Sequence, residues 1–236
     1  MSDMLVDRRN VLTAAAVLSA GAVALASRVA EAQVTMPLRA GFAPTPVGLP
    51  FNPKTIVGLS EKLLVSHHDN NYVGAVKRLG AISSQVENLD PVTAPGFTIS
   101  GLKREELIAW NSMILHELYF AGFGGSGGPS PKLAQSIEHD FGSMTHWSTQ
   151  FAAMGKALGG GSGWVLLSYS ARDKRLTNQW AADHTMTLAG ATPLLALDMY
   201  EHAYAMDYGA KATAYVDAFM NAMSWNHANA LFATVA

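Results

Sequence analysis

The sequence predicts an α+β fold, with an N-terminal helical hairpin followed by a C-terminal domain built of a small three-stranded antiparallel sheet and surrounding helices. Three observations lead there. Apolar residues recur at helical spacing through the first half, a glycine-rich run from Gly122 to Pro129 interrupts the chain, and strand-like apolar runs occur only after it. No internal repeat is present.

Gln33 to Pro53 holds five prolines and two glycines without a period and reads as an extended arm. Ser60 is a good N-cap, with Glu61 in the first turn. Leu59, Leu63, Leu64, Val76, Leu79 and Ile82 then give one continuous helix a rough apolar face. The chain turns between Asn88 and Pro95. A second helix starts near Ser100, with Glu105 and Glu106 early and Leu107, Ile114 and Leu118 on one face, and stops at Gly122. Short helices fit Pro131–Phe141 and Met144–Leu158, separated by Gly142. After Gly159–Gly163, the runs Trp164–Tyr169 and Leu176–Ala181 form a hairpin around the polar turn Ser170–Lys174. Pro193–Met199 is a third strand-like run, and Ala212–Ala230 closes the chain as one amphipathic helix. The expected divisions are 1–32, 33–125 and 126–236.

The first division reads as an address. Asp7-Arg8-Arg9-Asn10-Val11-Leu12 has the form of a twin-arginine signal, followed by an apolar stretch from Val11 to Ala26. That stretch is short of the roughly 20 residues a membrane-spanning helix needs. Ala30-Glu31-Ala32 supplies small residues for a cut after Ala32, so the expected destination is the periplasm, through the twin-arginine export machinery, with no membrane association after cleavage.

Composition excludes several chemistries. The chain has 236 residues, 49% hydrophobic and 14% charged, with a net charge of −2 and no basic run, so nothing marks a nucleic-acid partner. Without cysteine there are no disulfides, thiolate sites, iron–sulfur clusters or cysteine nucleophiles. A metal here is held by nitrogen and oxygen.

The eight histidines, taken singly, are ordinary surface or hydrogen-bonded residues. A subset stands out. Asp198-Met199-Tyr200-Glu201-His202 sets a carboxylate and an imidazole four apart, so a helical turn would present both on one side. The carboxylate follows the apolar run Pro193–Leu197, where a bare charge is costly. His67 and His116 each lie inside an apolar-faced helix. Three imidazoles and one carboxylate suit iron, manganese or zinc.

Asp198-Met199-Tyr200-Glu201-His202-Ala203-Tyr204 resembles the Asp-x-Trp-Glu-His-Ala-Tyr signature of iron/manganese superoxide dismutases. Ser60–Leu79 with His67-His68-Asp69 resembles the first helix of that family, and His116-Glu117-Leu118-Tyr119-Phe120 its second-helix segment. Phe141-Gly142-Ser143, Gly161-Ser162-Gly163-Trp164 and Thr192-Pro193-Leu194-Leu195 follow in family order. The resemblance implies superoxide dismutation at one iron or manganese ion per subunit, held by His67, His116, Asp198 and His202 with a solvent ligand. It also implies a homodimer, with Glu201 and Tyr204 in the interface.

The surroundings depart from the family pattern. The usual gateway tyrosine aligns with Ala75, and the histidine four residues after the first ligand aligns with Asn71; Tyr72 would supply a hydroxyl only if the helix shifts. The glutamine that contacts the bound solvent aligns with Ser112 or Gly160. Phe120 and Tyr200 stand where tryptophans are usual, while Trp164 is kept. These losses favour a second reading, a non-dismutase metal-binding or redox protein on the same scaffold.

Overall fold

The computed structural model describes residues 42–236. The expected export signal and the first residues of the arm lie outside the described residues. The α+β class is observed: helices come first, then a three-stranded antiparallel sheet with helices around it. No helix among the described residues is long and apolar enough to cross a membrane.

The arm is fastened to the helices at two points. Phe42 stacks on Trp110 at 4.6 Å. At Val47 the backbone N–H donates to the Tyr72 hydroxyl and the carbonyl pairs with His68 Nε2. Ser60 then caps helix α1 (Glu61–Ser66), its hydroxyl accepting from the Leu63 N–H at 3.0 Å.

The single first helix expected from the sequence is interrupted. Between α1 and α2 (Val73–Glu87) lies a π-helical turn, His67–Tyr72, in which the Val73 N–H reaches back five residues to the His68 carbonyl. An α-helix turns residues five apart well away from each other; the wider turn brings His67 and Tyr72 both inward, each about 1% exposed. Helix α3 (Gly96–Ala121) packs along α2 and buries Leu115, His116, Leu118, Tyr119 and Phe120.

After the glycine-rich loop, Ser130 caps α4 (Pro131–Phe141), which has proline at its start where no N–H is needed, and Ser143 caps α5 (Met144–Ala157). The strands β1 (Trp164–Ser170), β2 (Arg175–Ala181) and β3 (Ala191–Asp198) form a sheet in the order β2-β1-β3. Pro193 is tolerated because β3 is an edge strand. Every residue of β1 is buried. Its register is what builds the site: Trp164 sits opposite Ala181 on one side and Asp198 on the other. The approach to Trp164 requires glycine. Gly163 has φ +130°, and a Cβ there would lie 2.1 Å from the Ala181 carbonyl oxygen.

A short helix α6 (Ala205–Tyr208) leads into α7 (Ala212–Ala222) and α8 (Asn226–Val235). The continuous helix expected over Ala212–Ala230 is therefore two. It breaks at Met223, whose ψ is 145°, because the next N–H, of Ser224, donates instead to the Gly122 carbonyl at 2.6 Å. That bond ties the C-terminal helices to the end of α3.

Candidate metal centre

The last residue of β3, the π turn, the buried face of α3 and the turn Glu201–Ala203 deliver four side chains to one place. One ligand atom from each of His67, His116, Asp198 and His202 lies within 4.8 Å of the others. Asp198 Oδ2 is 3.1 Å from His67 Nε2, 3.2 Å from His202 Nε2 and 3.6 Å from His116 Nε2. His67, His116 and Asp198 are essentially fully buried; His202 keeps about a quarter of its side chain exposed. The pair Asp198 and His202 meets through a strand end and a 3₁₀ turn rather than through the helical turn that their spacing suggests.

Asp198 and His116 are oriented from behind. The Tyr200 N–H donates to Asp198 Oδ1 at 2.8 Å, which leaves Oδ2 for the imidazoles. The buried Tyr215 hydroxyl donates to the Asp198 carbonyl, also at 2.8 Å. His116 Nδ1–H donates to the Ser112 carbonyl at 2.6 Å, so the Nε2 of the neutral ring is a bare lone pair.

Burial and charge act on His116, His67 and Asp198 in ways that suit a metal site. Burial lowers the His116 imidazole to about 3 despite the pull of Asp198, and lowers His67 likewise. For Asp198, burial works upward, but hydrogen bonds from His202 and His67 and their charges hold the carboxyl well below the usual range. An anionic oxygen thus faces the lone pair of His116 Nε2, a buried atom with no hydrogen-bond partner. Two acceptors with no proton between them are costly in a buried site, and a cation between them removes the cost. An all-nitrogen-and-oxygen donor set of this kind fits iron or manganese.

Comparison with known proteins agrees with this donor set. A family model for iron/manganese superoxide dismutases, C-terminal domain, matches residues 129–231. Over 181 residues the chain is 64% identical to an iron superoxide dismutase of Cupriavidus metallidurans, covering 77% of this chain and 92% of the relative. The chain belongs to the iron/manganese superoxide dismutase family. More distant members include a manganese superoxide dismutase of Halobacterium salinarum, 34% identical over 71% of this chain and 84% of its own. An iron superoxide dismutase of Aquifex pyrophilus is 31% identical over 76% and 87%.

Within this member of the dismutase family, four residues around the cluster are placed as follows. Tyr72 does not turn toward the ligands. Its hydroxyl accepts from the Val47 N–H and donates to Glu117 Oε1, both at 2.9 Å, so it serves the arm. Ala75 lies instead beside Asn71, Ser112 and His184 in a cavity near the cluster. Gly160 is exposed in a left-handed turn, φ +82°, with open space around it. Tyr204 is only 2% exposed and stacks on Tyr215 at 5.3 Å, so it has almost no surface to offer a partner, whereas Glu201 is exposed.

His184 is the residue that sequence reasoning missed. It lies three residues beyond Ala181, the β2 residue that faces Trp164, and Asn111 holds its backbone carbonyl. Trp164 Nε1–H donates to His184 Nδ1 at 3.0 Å. Indole only donates, so Nδ1 is the acceptor and the neutral ring carries its proton on Nε2. Burial lowers the His184 imidazole, which favours that neutral form. The ring stacks on Tyr200 at 4.9 Å and 11°, and Tyr200 stacks on His202 at 5.4 Å and 13°. Phe120 meets His67 edge-on at 5.1 Å, and Trp164 meets His116 edge-on at 5.3 Å. The four ligand candidates are therefore walled by aromatic rings. Only its place in space marks His184: an Asp-His pair in a polar connection carries no spacing signal.

Proposed function

We propose that this chain is an exported superoxide dismutase acting at a single metal ion held by His67, His116, Asp198 and His202. The observation that carries the reading is the convergence of three imidazole Nε2 atoms on Asp198 Oδ2, with the His116 nitrogen unable to donate. Iron is the metal proposed, since the 64% identical relative bears that metal in its name.

A bound iron or manganese ion supplies the one-electron cycle through which one superoxide leaves as oxygen and a second leaves as hydrogen peroxide. The protein contributes charge, shape and protons. Asp198 stays anionic, and burial favours the neutral imidazoles of His67 and His116, so the carboxylate supplies one compensating negative charge. Phe120, Trp164 and Tyr200 pack against the rings of His67, His116 and His202 and give the cluster an aromatic wall. His184 Nε2–H takes the part of the glutamine absent at Ser112 and Gly160: a neutral donor beside the cluster that orients the reactant oxygen.

The address and the assembly belong to the same proposal. The Arg8-Arg9 signal and the Ala30-Glu31-Ala32 cleavage site support periplasmic export in the twin-arginine manner, and the exposed Glu201 beside His202 supports a homodimer in which Glu201 meets the partner. The reading is tested by metal analysis and dismutase assay of protein purified after removal of residues 1–32. One metal per chain with dismutase activity is expected, and both are lost in His116→Ala. Full metal content with no dismutation at any pH would favour the non-dismutase reading suggested by Ala75, Ser112 and Gly160.

A further inference from the structure

Val47 of the arm is bonded at two places to the π turn that carries His67. Its N–H donates to the Tyr72 hydroxyl at 2.9 Å, and its carbonyl accepts from His68 Nε2 at 2.8 Å. The Tyr72 hydroxyl in turn donates to Glu117 Oε1 at 2.9 Å, so the contact continues into α3 at the residue beside His116. Val47 is 57% exposed, so its side chain packs little and its two backbone groups make the attachment. Leu49 and Phe51, further along the arm, pack against the core and keep Val47 in place.

His67 needs such support. His116 is oriented by a hydrogen bond of its own, from Nδ1–H to the Ser112 carbonyl at 2.6 Å. His67 Nδ1 is buried without a hydrogen-bond partner. Metal-binding imidazoles ordinarily fix their orientation by donating that second N–H. The aim of the His67 ring therefore rests on its backbone, which is the π turn His67–Tyr72. Such turns are rare in proteins. On an α-helix, residues five apart lie about 140° apart around the axis, so a return to that register would undo the joint burial of His67 and Tyr72. Bonds to His68 and Tyr72 from one residue outside the helix oppose that change.

We propose that Val47 is a positioning residue for His67. Through His68 and Tyr72 it holds the wide register of the turn that aims the His67 imidazole at Asp198, and so slows the loss of a bound metal. The inference deepens the four-residue metal site and rests on it, but it does not require superoxide to be the reactant.

Four variants test it. Val47→Pro removes the N–H and keeps the carbonyl, Tyr72→Phe removes the hydroxyl, and Val47→Ala keeps both backbone groups. Trp110→Ala loosens the arm at its other attachment, the Phe42 stack, without touching the turn. Transfer of iron to excess EDTA is timed for each, using loaded protein that lacks residues 1–32. Release should be about 3–10-fold faster in Val47→Pro and Tyr72→Phe, the scale of one lost hydrogen bond, and no faster in the double variant than in Tyr72→Phe. Val47→Ala and Trp110→Ala should release iron as the parent does. Amide exchange of the metal-free protein should quicken over His67–Val73 in Val47→Pro and Tyr72→Phe while the sheet keeps its protection. Should Val47→Pro fail to fold, Tyr72→Phe carries both measurements. Unchanged release and exchange, loss of protection throughout the chain, or an equal effect of Trp110→Ala would overturn the proposal. Metal content of the parent is measured alongside: a parent without metal overturns the four-residue site, while the exchange data still decide whether Val47 holds the turn.

Discussion

The indole N–H of Trp164 donates to Nδ1 of His184 at 3.0 Å, and this one bond decides which nitrogen of that imidazole carries the proton. Both residues owe their position to the sheet. Trp164 opens β1 directly opposite Asp198, and His184 follows three residues after Ala181, which faces Trp164 from β2.

Trp164→Phe keeps the ring but releases His184 to change tautomer and rotate. Dismutase activity should fall about 10–100-fold, the usual scale for losing a group that orients a metal site. Metal content should be retained, and the pH profile of activity should change. Steady-state assay across pH with parallel metal analysis checks it.

Tyr215→Phe removes the hydroxyl that donates to the Asp198 carbonyl at 2.8 Å. The carbonyl then stays buried and unpaired, which costs about 1–3 kcal/mol. Urea unfolding of mutant and parent should show that loss as a lower midpoint at unchanged slope.

The metal-free protein should lose stability as pH falls. His67 and His116 have lowered folded values, so below the unfolded value of about 6.5 the unfolded chain binds protons that the folded chain refuses. Stability therefore rises with pH through this window, by up to about 1.4 kcal/mol per unit for each such imidazole. Asp198 is depressed as well and adds a loss below about 4 as its carboxylate is protonated in the unfolded chain. Unfolding of the metal-free form at pH 7.5, 6 and 5 should give falling free energies, and His116→Gln should flatten the dependence.

Tyr72→Phe separates two roles for that hydroxyl. In the structure it joins the Val47 N–H to Glu117, so its loss should loosen the arm, cost about 1–2 kcal/mol and speed proteolysis between Phe42 and Pro53. Dismutase activity of the metal-loaded variant should stay near that of the parent. A large fall in activity with an intact arm would instead return Tyr72 to the reactant path.

The sequence carried most of the fold because its elements are bounded by strong local chemistry: Ser60, Ser130 and Ser143 are caps, and Gly142 ends α4 in the left-handed region at φ +82°. What escaped it is tertiary. Nothing in His67-His68-Asp69-Asn70-Asn71-Tyr72 announces a π turn, which serves to bury His67 and Tyr72 together. Nothing in Met223-Ser224-Trp225 breaks a helix except the distant Gly122 carbonyl that claims the Ser224 N–H. The four clustered side chains were recognisable from motif and spacing, whereas His184 was not, since its partner Trp164 lies 20 residues away across the sheet. The motif names Tyr204 as a residue type without its facing, and in the structure its ring turns into the core against Tyr215.

Crystals of protein recovered from its native compartment, measured at the iron and manganese absorption edges, give the most direct test. One anomalous peak per chain, within bonding distance of His67, His116 and His202 Nε2 and of Asp198 Oδ2, is the result expected. No peak there, or a metal bound with one of the four turned away, would contradict it.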